Sequence, residues 1–448
     1  MAAKMACAKS AQATFVFVVA TGMLFEGVFE VNKLVIDGGI PLSGEIAVHG
    51  AKNSSLPLLA ATILSGGECV LHNCPALSDV DAACKILSYL GCGIRREGST
   101  VTVNTENLSH FDVPDDLMQE MRSSIVFLGA IAARLGRVRI SFPGGCDLGA
   151  RPIDLHLSAL RQLGLDIREE HGYLNCVSDG RLKGSNISLS FPSVGATENI
   201  ILAAATARGQ TVINNAAQEP EIVDLAEFLN RCGAKIYGAG KSRIWIDGVE
   251  TLYGSEHKVI PDRIVAVTYL CCAAVTGGEV QLLHTRPDDI GSVLPVLEEM
   301  GCMIRCSDDT IFLKAPKRLN GGGTIRTMPY PGFPTDAQAP LMALSTLSDS
   351  TTVFVENIFE NRFRHAGELI RMGANIRTEG KIAVVQGVPS LYGASVQATD
   401  LRGGAALIIA GLAAQGKTII SNMCHVQRGY EDIEGNLKAM GAQVYWTD

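Results

Sequence analysis

A short phrase containing a glycine recurs six times along the chain at nearly equal spacing. The copies are YLGCGI, QLGLDI, RCGAKI, EMGCMI, RMGANI and AMGAQV, and their glycines are residues 91, 164, 233, 301, 373 and 441. The steps between these glycines are 73, 69, 68, 72 and 68 residues. A glycine at the end of a helical pattern lets the helix stop in a left-handed turn and lets the chain reverse into a strand. The repeat therefore predicts six structural units of similar length.

Each unit also contains an apolar helical pattern, a short turn and a strand pattern, as in PLLAATILSGGECVL and ALIIAGLAAQGKTII. Because such helices are apolar on nearly all sides, we expect them in the interior, with a second, amphipathic helix such as EIVDLAEFLNRC outside. A unit then consists of a strand, a buried helix, a strand, an outer helix and one or two further strands. A chain of 448 residues exceeds one ordinary core, so the six units predict two α/β domains of three units each.

Charge and cysteine content exclude several classes of protein. The formal net charge of -8 argues against a general nucleic-acid binder, because binding to a phosphate backbone requires a basic surface. The 13 cysteines form no CxxC pair and no paired Cys/His spacing of the zinc type. Scattered cysteines of this kind predict reduced thiols in a cytoplasmic protein, without a metal site.

Residues 1–30 differ from the rest of the chain. The apolar stretch TFVFVVATGMLF, residues 14–25, resembles the core of a signal peptide, but no clean cleavage site follows it and it is too short to span a bilayer as a helix. We expect this segment to be an extension outside the fold, and we expect no membrane partner.

Polar side chains cluster at two positions of each unit, and both positions lie at the start of a helix. Those before the buried helices are Lys52, Arg122, Ser193, Asp262, Asp336, and Asp400 with Arg402. Those before the outer helices are Cys146 to Arg151, Glu219 with Glu221, Asp288, Arg362 and Arg428. Helix N-termini attract anions through unpaired N–H groups and the helix dipole. If the units face one another, these loops form an anion-binding cleft.

Some of these residues have a simpler interpretation. N-capping is favoured for Ser193, Asp262 and Asp400 taken singly, and Glu219 and Glu221 fit a role in complementing the helix dipole. A cation in the same position is electrostatically unfavourable unless an anion lies between it and the helix. Four cations share that position and are the functional candidates: Lys52, Arg122, Arg151 and Arg402.

Nine phrases, in this order, resemble the enolpyruvyl transferase family, and within it the branch that uses UDP-N-acetylglucosamine. They are GAKNSSLPLLAA, MRSSIVFLGA, PGGCDLGARPIDLH, SVGATENI, EPEIVDLAEFL, PGFPTDAQA, IFENRF, TDLRGGAAL and RGYEDIE, and the resemblance runs from about Val31 to the C-terminus. It implies an inside-out α/β barrel of two domains, each with three βαβαββ units, joined by two chain crossings with the active site between them. Residues 31–51 with 261–448 would form one domain, and residues 52–260 the other.

The resemblance also implies a reaction. The enolpyruvyl group of phosphoenolpyruvate would pass to the 3-hydroxyl of UDP-N-acetylglucosamine with release of phosphate, as the first committed step of bacterial peptidoglycan synthesis, without a metal or organic cofactor. Phosphoenolpyruvate carries a phosphate and a carboxylate, which guanidinium and ammonium groups bind well. Lys52 and Asn53 would contact it, Arg151 and Arg428 would bind its anionic groups, and Arg122 and Arg402 would assist.

The remaining roles are also implied by the resemblance. Cys146, in a glycine-bracketed turn, would donate a proton to the methylene carbon from a loop that closes over the substrate, and it can add covalently to the enolpyruvyl carbon in this family. Asp336 would be the base near the sugar hydroxyl, so the catalytic set is Cys146, Asp336, Lys52 and Arg428. The residues implied for the uridine and sugar are Arg151, Pro152, Ile153, Asp154, Leu155, Ser193, Val194, Gly195 and Ile358.

Two positions depart from the family pattern: Phe191 stands where a basic residue is common, and Val265 where a glutamate is common. Two rival interpretations also remain. A shikimate enolpyruvyl transferase shares the fold and the donor, but its glycine-rich signatures are absent. A non-catalytic sugar-nucleotide-binding copy is disfavoured because Cys146, Asp336 and the expected cations occur together. The sequence leaves the oligomeric state open.

Overall fold

The computed structural model of the protein describes residues 33–143 and 153–447. The strands within these ranges are β1 (Lys33–Asp37), β2 (Ser43–Ala47), β3 (Glu68–His72), β4 (Gly93–Glu97), β5 (Thr100–Asn104), β6 (Asp112–Val113), β7 (Arg137–Ser141), β8 (Leu165–Glu170), β9 (Tyr173–Ser178), β10 (Asn186–Ser188), β11 (Gln210–Asn214), β12 (Lys235–Tyr237), β13 (Arg243–Asp247), β14 (Glu256–Lys258), β15 (Glu279–Leu283), β16 (Met303–Cys306), β17 (Thr310–Lys314), β18 (Thr324–Arg326), β19 (Thr351–Val355), β20 (Asn375–Glu379), β21 (Ile382–Gln386), β22 (Ser395–Gln397), β23 (Lys417–Ser421) and β24 (Gln443–Thr447).

The α-helices of the described ranges are α1 (Lys52–Thr62), α2 (Ser78–Tyr89), α3 (Asp115–Glu120), α4 (Phe127–Leu135), α5 (Asp154–Gln162), α6 (Val194–Ala204), α7 (Pro220–Arg231), α8 (Arg263–Val275), α9 (Leu294–Glu299), α10 (Thr335–Ser345), α11 (Ala366–Arg371), α12 (Leu401–Ala413), α13 (Cys424–Gln427) and α14 (Ile433–Ala439). Two 3₁₀ segments, Arg122–Val126 and Pro287–Ile290, complete the described helical structure.

The described strands form six sheets of four strands, and every sheet has the same pattern. The orders are β14-β3-β5-β4, β6-β7-β9-β8, β10-β11-β13-β12, β2-β15-β17-β16, β18-β19-β21-β20 and β22-β23-β1-β24. In each order the first pair of strands is parallel and the next two pairs are antiparallel. The six-fold repeat predicted from the glycine phrases is therefore confirmed.

Three sheets contain a strand from a distant part of the chain. β14 pairs with β3, β2 pairs with β15, and β1 lies between β23 and β24. The chain thus leaves one group of sheets after β2 and returns after β14. The two connecting segments pair with each other, since the Ala51 N–H donates to the Ile260 carbonyl at 2.7 Å and the Asp262 N–H donates to the His49 carbonyl at 2.9 Å.

The apolar helices lie at the centre of each group and the sheets lie outside them. α8, α10 and α12 pack on one another, and α1 and α6 both pack on α4. Every residue of α8 after Arg263 is buried. This arrangement confirms the predicted inside-out α/β barrel, because a helix without a polar face is stable only when it is enclosed.

Two separate hydrophobic clusters form the interior. One runs from Leu56 to Val259, and the other joins Leu34–Val48 to Val265–Val444. On this basis we propose that the domains divide as predicted, into residues 52–260 and residues 31–51 with 261–448.

Local features follow the sequence in most places. The six repeat glycines all have φ between +90° and +103°, as predicted for helix ends. Differences occur where helices break: the second buried helix begins as the 3₁₀ segment at Arg122, and the last outer helix is divided into α13 and α14. His156 lies within α5 and His425 within α13. No helix among the described residues is long and apolar enough to cross a membrane.

Candidate active site

Two predicted cations share one carboxylate at the boundary between the two groups of units. Lys52 is the first residue of α1, and its Nζ lies 2.6 Å from Oδ2 of Asp79 in the first turn of α2. Arg428, just after α13, donates from Nε to Asp79 Oδ1 at 2.8 Å and from a terminal nitrogen to Oδ2 at 3.3 Å. Asp79 therefore connects Lys52, on the first buried helix, to Arg428, which belongs to the sixth unit.

The pKa values of this triad follow from burial and charge. Burial lowers the pKa of Lys52, the Asp79 carboxylate opposes that shift, and the nearby Arg428 and Arg402 add to it. Burial alone would raise the pKa of Asp79, but Lys52 and Arg428 outweigh burial and hold that pKa below its usual value. Asp79 is thus an ionised carboxylate at neutral pH, and it occupies the position of an anion between two cations.

Asp336, the predicted base, lies in the first turn of α10 and contacts two guanidinium groups. Arg362 donates to its Oδ1 at 2.7 Å, and Arg402 donates to its Oδ2 at 3.3 Å. Both arginine side chains are buried, whereas the Asp336 side chain is 30 % exposed. Arg402 also donates to the hydroxyl of the buried Tyr430 at 3.2 Å. The Asp336 carboxylate is thus held by two guanidinium groups and stays partly exposed.

The two triads lie within electrostatic range of each other, because Arg402 of the second triad lowers the pKa of Lys52 in the first. The Lys52 N–H donates to Asp262 Oδ2 at 3.2 Å, and the other oxygen of Asp262 caps α8. Asp400 likewise caps α12, and Ser193 caps α6. The capping interpretation of these three residues is confirmed. Asp262 additionally connects the start of α8 to the start of α1.

Glu221 does more than complement a helix dipole. Its carboxylate accepts from Arg263, the first residue of α8, at 3.0 Å, so the pair links the two groups of units. Two further carboxyl groups lie beside it. Burial, together with Glu221 and Glu219, raises the pKa of Glu198 well above its usual value, and burial also raises the pKa of Glu219.

The described residues implied for the nucleotide lie mainly at the starts of two adjacent helices. Ile153, Asp154 and Leu155 stand at the start of α5, and Ser193, Val194 and Gly195 at the start of α6. His156, near the start of α5, connects the two helices, since its Nδ1 lies 2.8 Å from the side-chain nitrogen of Asn199 in the middle of α6. A side chain at Gly195 would contact the His156 ring, since an added Cβ would lie 3.0 Å from it. Because Gly195 has no side chain, the first turn of α6 can approach α5 closely.

The other predicted residues are placed as follows. Asn53 is exposed on α1, Arg122 begins the 3₁₀ segment, and Ile358 donates its N–H to Glu356 at 2.8 Å after β19. Three predicted residues lie outside the described residues: Cys146, Arg151 and Pro152. Of the two departures from the family pattern, Phe191 is exposed and Val265 is fully buried in α8.

Sequence reasoning missed Asp79 and Tyr430, which contact the predicted site, and it located Arg362 before an outer helix without giving it a role. Asp79 and Arg362 occupy the repeat position before an outer helix, and that position was the available signal. Tyr430 follows Arg428 by two residues in RGYEDIE and carries no local signal of its own.

The comparisons with known proteins identify the family of the chain. The family model described as EPSP synthase (3-phosphoshikimate 1-carboxyvinyltransferase) matches residues 36–437. UDP-N-acetylglucosamine 1-carboxyvinyltransferase 2 of Caldanaerobacter subterraneus subsp. tengcongensis is 49% identical over 92% of this chain and 99% of its own length. UDP-N-acetylglucosamine 1-carboxyvinyltransferase of Serratia proteamaculans is 49% identical over 92% of this chain and 98% of its own length.

The chain belongs to the enolpyruvyl transferase family. Among solved structures, the enolpyruvyl transferase NikO from Streptomyces tendae superposes with a TM-score of 0.84 at 25% identity, covering 93% of this chain and 99% of NikO. EPSP synthase from Acinetobacter baumannii gives a TM-score of 0.71 at 19% identity over 93% of this chain and all of the other, and it supports the fold alone. The resemblance read from the nine phrases is thus confirmed.

The described residues hold no group of three or more His, Cys, Asp or Glu side chains placed to bind a metal ion. The described cysteines are free thiols, and most of them are buried.

Proposed function

We propose that this protein transfers the enolpyruvyl group of phosphoenolpyruvate to the 3-hydroxyl of UDP-N-acetylglucosamine and releases phosphate. The observation that carries the proposal is the meeting of Lys52, Arg402 and Arg428 at the boundary between the two groups of units, in a chain whose curated relatives bear that transferase name. A cation cluster of this density matches a substrate with a phosphate and a carboxylate on the same carbon atom. The product would be committed to peptidoglycan synthesis.

The reaction requires two steps that balance in atoms and protons. In the addition step, the sugar oxygen bonds to the central carbon of phosphoenolpyruvate, its proton leaves, and the methylene carbon gains a proton. In the elimination step, the bond from that central carbon to the phosphate oxygen breaks and the methyl group loses a proton, which restores the double bond. The addition step therefore needs a base that accepts the proton of the sugar hydroxyl and an acid that protonates the methylene carbon of phosphoenolpyruvate.

We assign the base to Asp336 and the acid to Cys146. Support for Asp336 comes from its partial exposure and from Arg362 and Arg402, which fix the direction of its carboxylate. Cys146 lies outside the described residues, so its role rests on the family resemblance. Lys52, Asn53, Arg122, Arg151, Arg402 and Arg428 are the proposed ligands of phosphoenolpyruvate.

The nucleotide would lie against the starts of α5 and α6. Support comes from their adjacency and from the partly exposed residues Ser193, Val194 and Gly195. The unpaired N–H groups at helix starts favour a diphosphate. We also propose a cytoplasmic location, since the described cysteines are free thiols.

Phosphate release tests the proposal directly. The full-length protein is incubated with phosphoenolpyruvate and UDP-N-acetylglucosamine, each alone and together, and inorganic phosphate is measured. We expect release only when both are present. Replacement of UDP-N-acetylglucosamine by shikimate 3-phosphate tests the related enzyme and is expected to give none. Calorimetric binding of UDP-N-acetylglucosamine without any phosphate release would instead favour a non-catalytic binding protein.

A further inference from the structure

A buried carboxylate outside the predicted site connects three elements near it. Asp224 lies on α7 and is 2% exposed. Its Oδ2 accepts a very short hydrogen bond from the Ser54 hydroxyl and a longer one, 3.5 Å, from the Ile260 N–H. Its Oδ1 lies 2.8 Å from Nε2 of His257. One carboxyl group is therefore shared by α1, β14 and the second chain crossing.

Each contact belongs to an element that reaches the site. Ser54 is the third residue of α1, two positions after Lys52. Ile260 accepts from the Ala51 N–H at 2.7 Å, so the residue before Lys52 is held by the same crossing. Asp224 thus fixes both sides of the point at which α1 begins.

The start of α1 requires this external support. Its N-cap is Ala51, which has no side-chain oxygen to accept from the first turn, whereas α6, α8 and α12 carry their own capping side chains. The Lys52 N–H is instead bound by Asp262 at 3.2 Å. Asp262 therefore replaces the local cap, and Asp224 holds the same turn through the Ser54 hydroxyl.

His257, on β14, also holds the Asp224 carboxylate in place. Its side chain is 2% exposed and lies at the middle of β14, with its ring 5.6 Å from that of Phe228 at an angle of 55°. Phe228 follows Asp224 by one helical turn on the same face of α7. The imidazole is thus enclosed between α7 and β14 and directs Nε2 toward the carboxylate.

We propose that Asp224 is a positioning residue for phosphoenolpyruvate binding: through Ser54 and Ile260 it sets the direction of the first turn of α1 and hence of Lys52 and Asn53. Asp224 does not contact the substrate. This inference rests on the proposed function, because it assumes that Lys52 and Asn53 bind phosphoenolpyruvate. Asp224 would then be one of the residues that determine the affinity for phosphoenolpyruvate, although it contacts α1 on the side away from the site.

Steady-state phosphate release by the full-length protein tests the proposal. With UDP-N-acetylglucosamine saturating, Asp224→Ala is expected to raise the KM for phosphoenolpyruvate by about 10-fold to 100-fold, the range for a displaced binding group. The Kd of UDP-N-acetylglucosamine, measured by calorimetry, is expected to stay within about twofold of the native value. Asp224→Asn keeps an acceptor for Ser54 and can donate to His257 in its other tautomer, so it should restore most of the donor affinity.

Asn230→Ala is the matched control. Asn230 lies on the same helix, exchanges two hydrogen bonds with the backbone of Ile236 at 2.8 and 2.9 Å, and belongs to the end of α7 that packs on β12. Its removal loosens α7 without touching α1, so the KM for phosphoenolpyruvate should not change. An equal rise in both variants would mean that Asp224 stabilises only the fold, and the proposal would be wrong.

Two further outcomes are distinguished. If the native protein releases no phosphate, the proposed function fails; if it does and Asp224→Ala keeps the native KM, only the positioning role fails. If Asp224→Ala does not fold, Ser54→Ala decides, because it removes a single hydrogen bond. A rise in KM of about threefold or more would support the proposal, and an unchanged KM would overturn it.

Discussion

Replacing Asp79 by asparagine removes the one charge that the Lys52 and Arg428 side chains share. The variant keeps the size of the side chain and one hydrogen-bond acceptor, but its amide nitrogen must face a cation. Lys52 then stays buried beside Arg428 and Arg402 without its counter-charge. We expect a loss of stability together with an increased affinity for small dianions, because an anion can take the place of the missing carboxylate.

The magnitude follows from burial. The side chains of Asp79 and Lys52 are 3% and 11% exposed, and removing one member of a buried pair costs about 3–5 kcal/mol. Arg428 is 37% exposed, so solvent screens its pairing and we assign it little of this loss. For a folding unit of about 200 residues, each kcal/mol lowers Tm by about 2–4 °C, which gives a decrease of roughly 6–20 °C.

Thermal unfolding with and without inorganic phosphate or phosphoenolpyruvate measures both effects. The matched control is Asp81→Asn, two residues further along α2, because Asp81 is 59% exposed and pairs with Arg96 at 2.7 Å. A surface pair contributes about 0–1 kcal/mol, so this variant should unfold near the native temperature. Saturating phosphate should raise the Tm of Asp79→Asn by more than it raises that of the native protein or the control.

The pH dependence provides a second check. Since Lys52 and Arg428 lower the folded-state pKa of Asp79, its contribution to stability is present above the ordinary pKa of an aspartate and is lost as pH falls through the lowered value. The stability difference between native protein and variant should therefore shrink in strong acid. Equal Tm values for Asp79→Asn and Asp81→Asn, with equal responses to phosphate, would refute the assignment of Asp79 as the internal counter-ion of the site.

Three further predictions concern the acid, the base and a buried histidine. Asp336→Asn should lower kcat by roughly 10²-fold or more in the phosphate-release assay while calorimetry still detects UDP-N-acetylglucosamine, because an amide cannot accept the proton; near-native kcat would exclude Asp336 as the base. Cys146→Asp should keep measurable turnover with an acid-shifted pH profile and should resist fosfomycin, an epoxide expected to alkylate the Cys146 thiol. Cys146→Ala should lose far more turnover, and equal loss in both variants would favour a nucleophilic role. Burial lowers the pKa of His156 to about 4, so the unfolded chain binds more protons and stability should fall by about 3 kcal/mol from pH 6.5 to 4. Denaturant unfolding should show that the free energy of unfolding of His156→Gln depends less on pH over that range than that of His110→Gln, a control at an exposed histidine. Identical pH profiles would mean that His156 does not cause this pH dependence.

The fold was predictable because its main signal is local and repeated. A glycine that ends a helix and an apolar helix that must be enclosed are both visible within a few residues, and six copies reinforce each other. The exchange of β1, β2 and β14 between distant units has no such local signal. The partner of a three-residue strand such as β14 is determined by the packing of the whole domain. Only the family resemblance indicated where the chain crosses between the two domains.

The site was predictable for the cations and less so for their partners. Asp79 and Asp81 both stand in the first turn of α2, where either would complement the helix dipole. The sequence alone does not separate them, yet tertiary packing buries Asp79 against Lys52 and leaves Asp81 exposed. In contrast, Lys52 and Arg402 stood out because a cation at a helix start is unfavourable by itself. The structure supplies the explanation: a carboxylate from another helix contacts each of them.

The charges of these contacts do not cancel, and the remainder indicates what the site can bind. Lys52 and Arg428 share Asp79, and Arg362 and Arg402 share Asp336, so each triad of described residues has a formal charge of one positive unit. The nearby carboxylates of Asp262 and Asp400 cap α8 and α12, and Oδ1 of Asp400 also lies 4.0 Å from a terminal nitrogen of Arg362, so Asp400 offsets part of the charge of the second triad. The Glu221–Arg263 pair is balanced by itself. The surplus positive charge thus lies mainly at the Lys52–Asp79–Arg428 triad, in a protein of net charge -8, and a compact anion bound there would neutralise it.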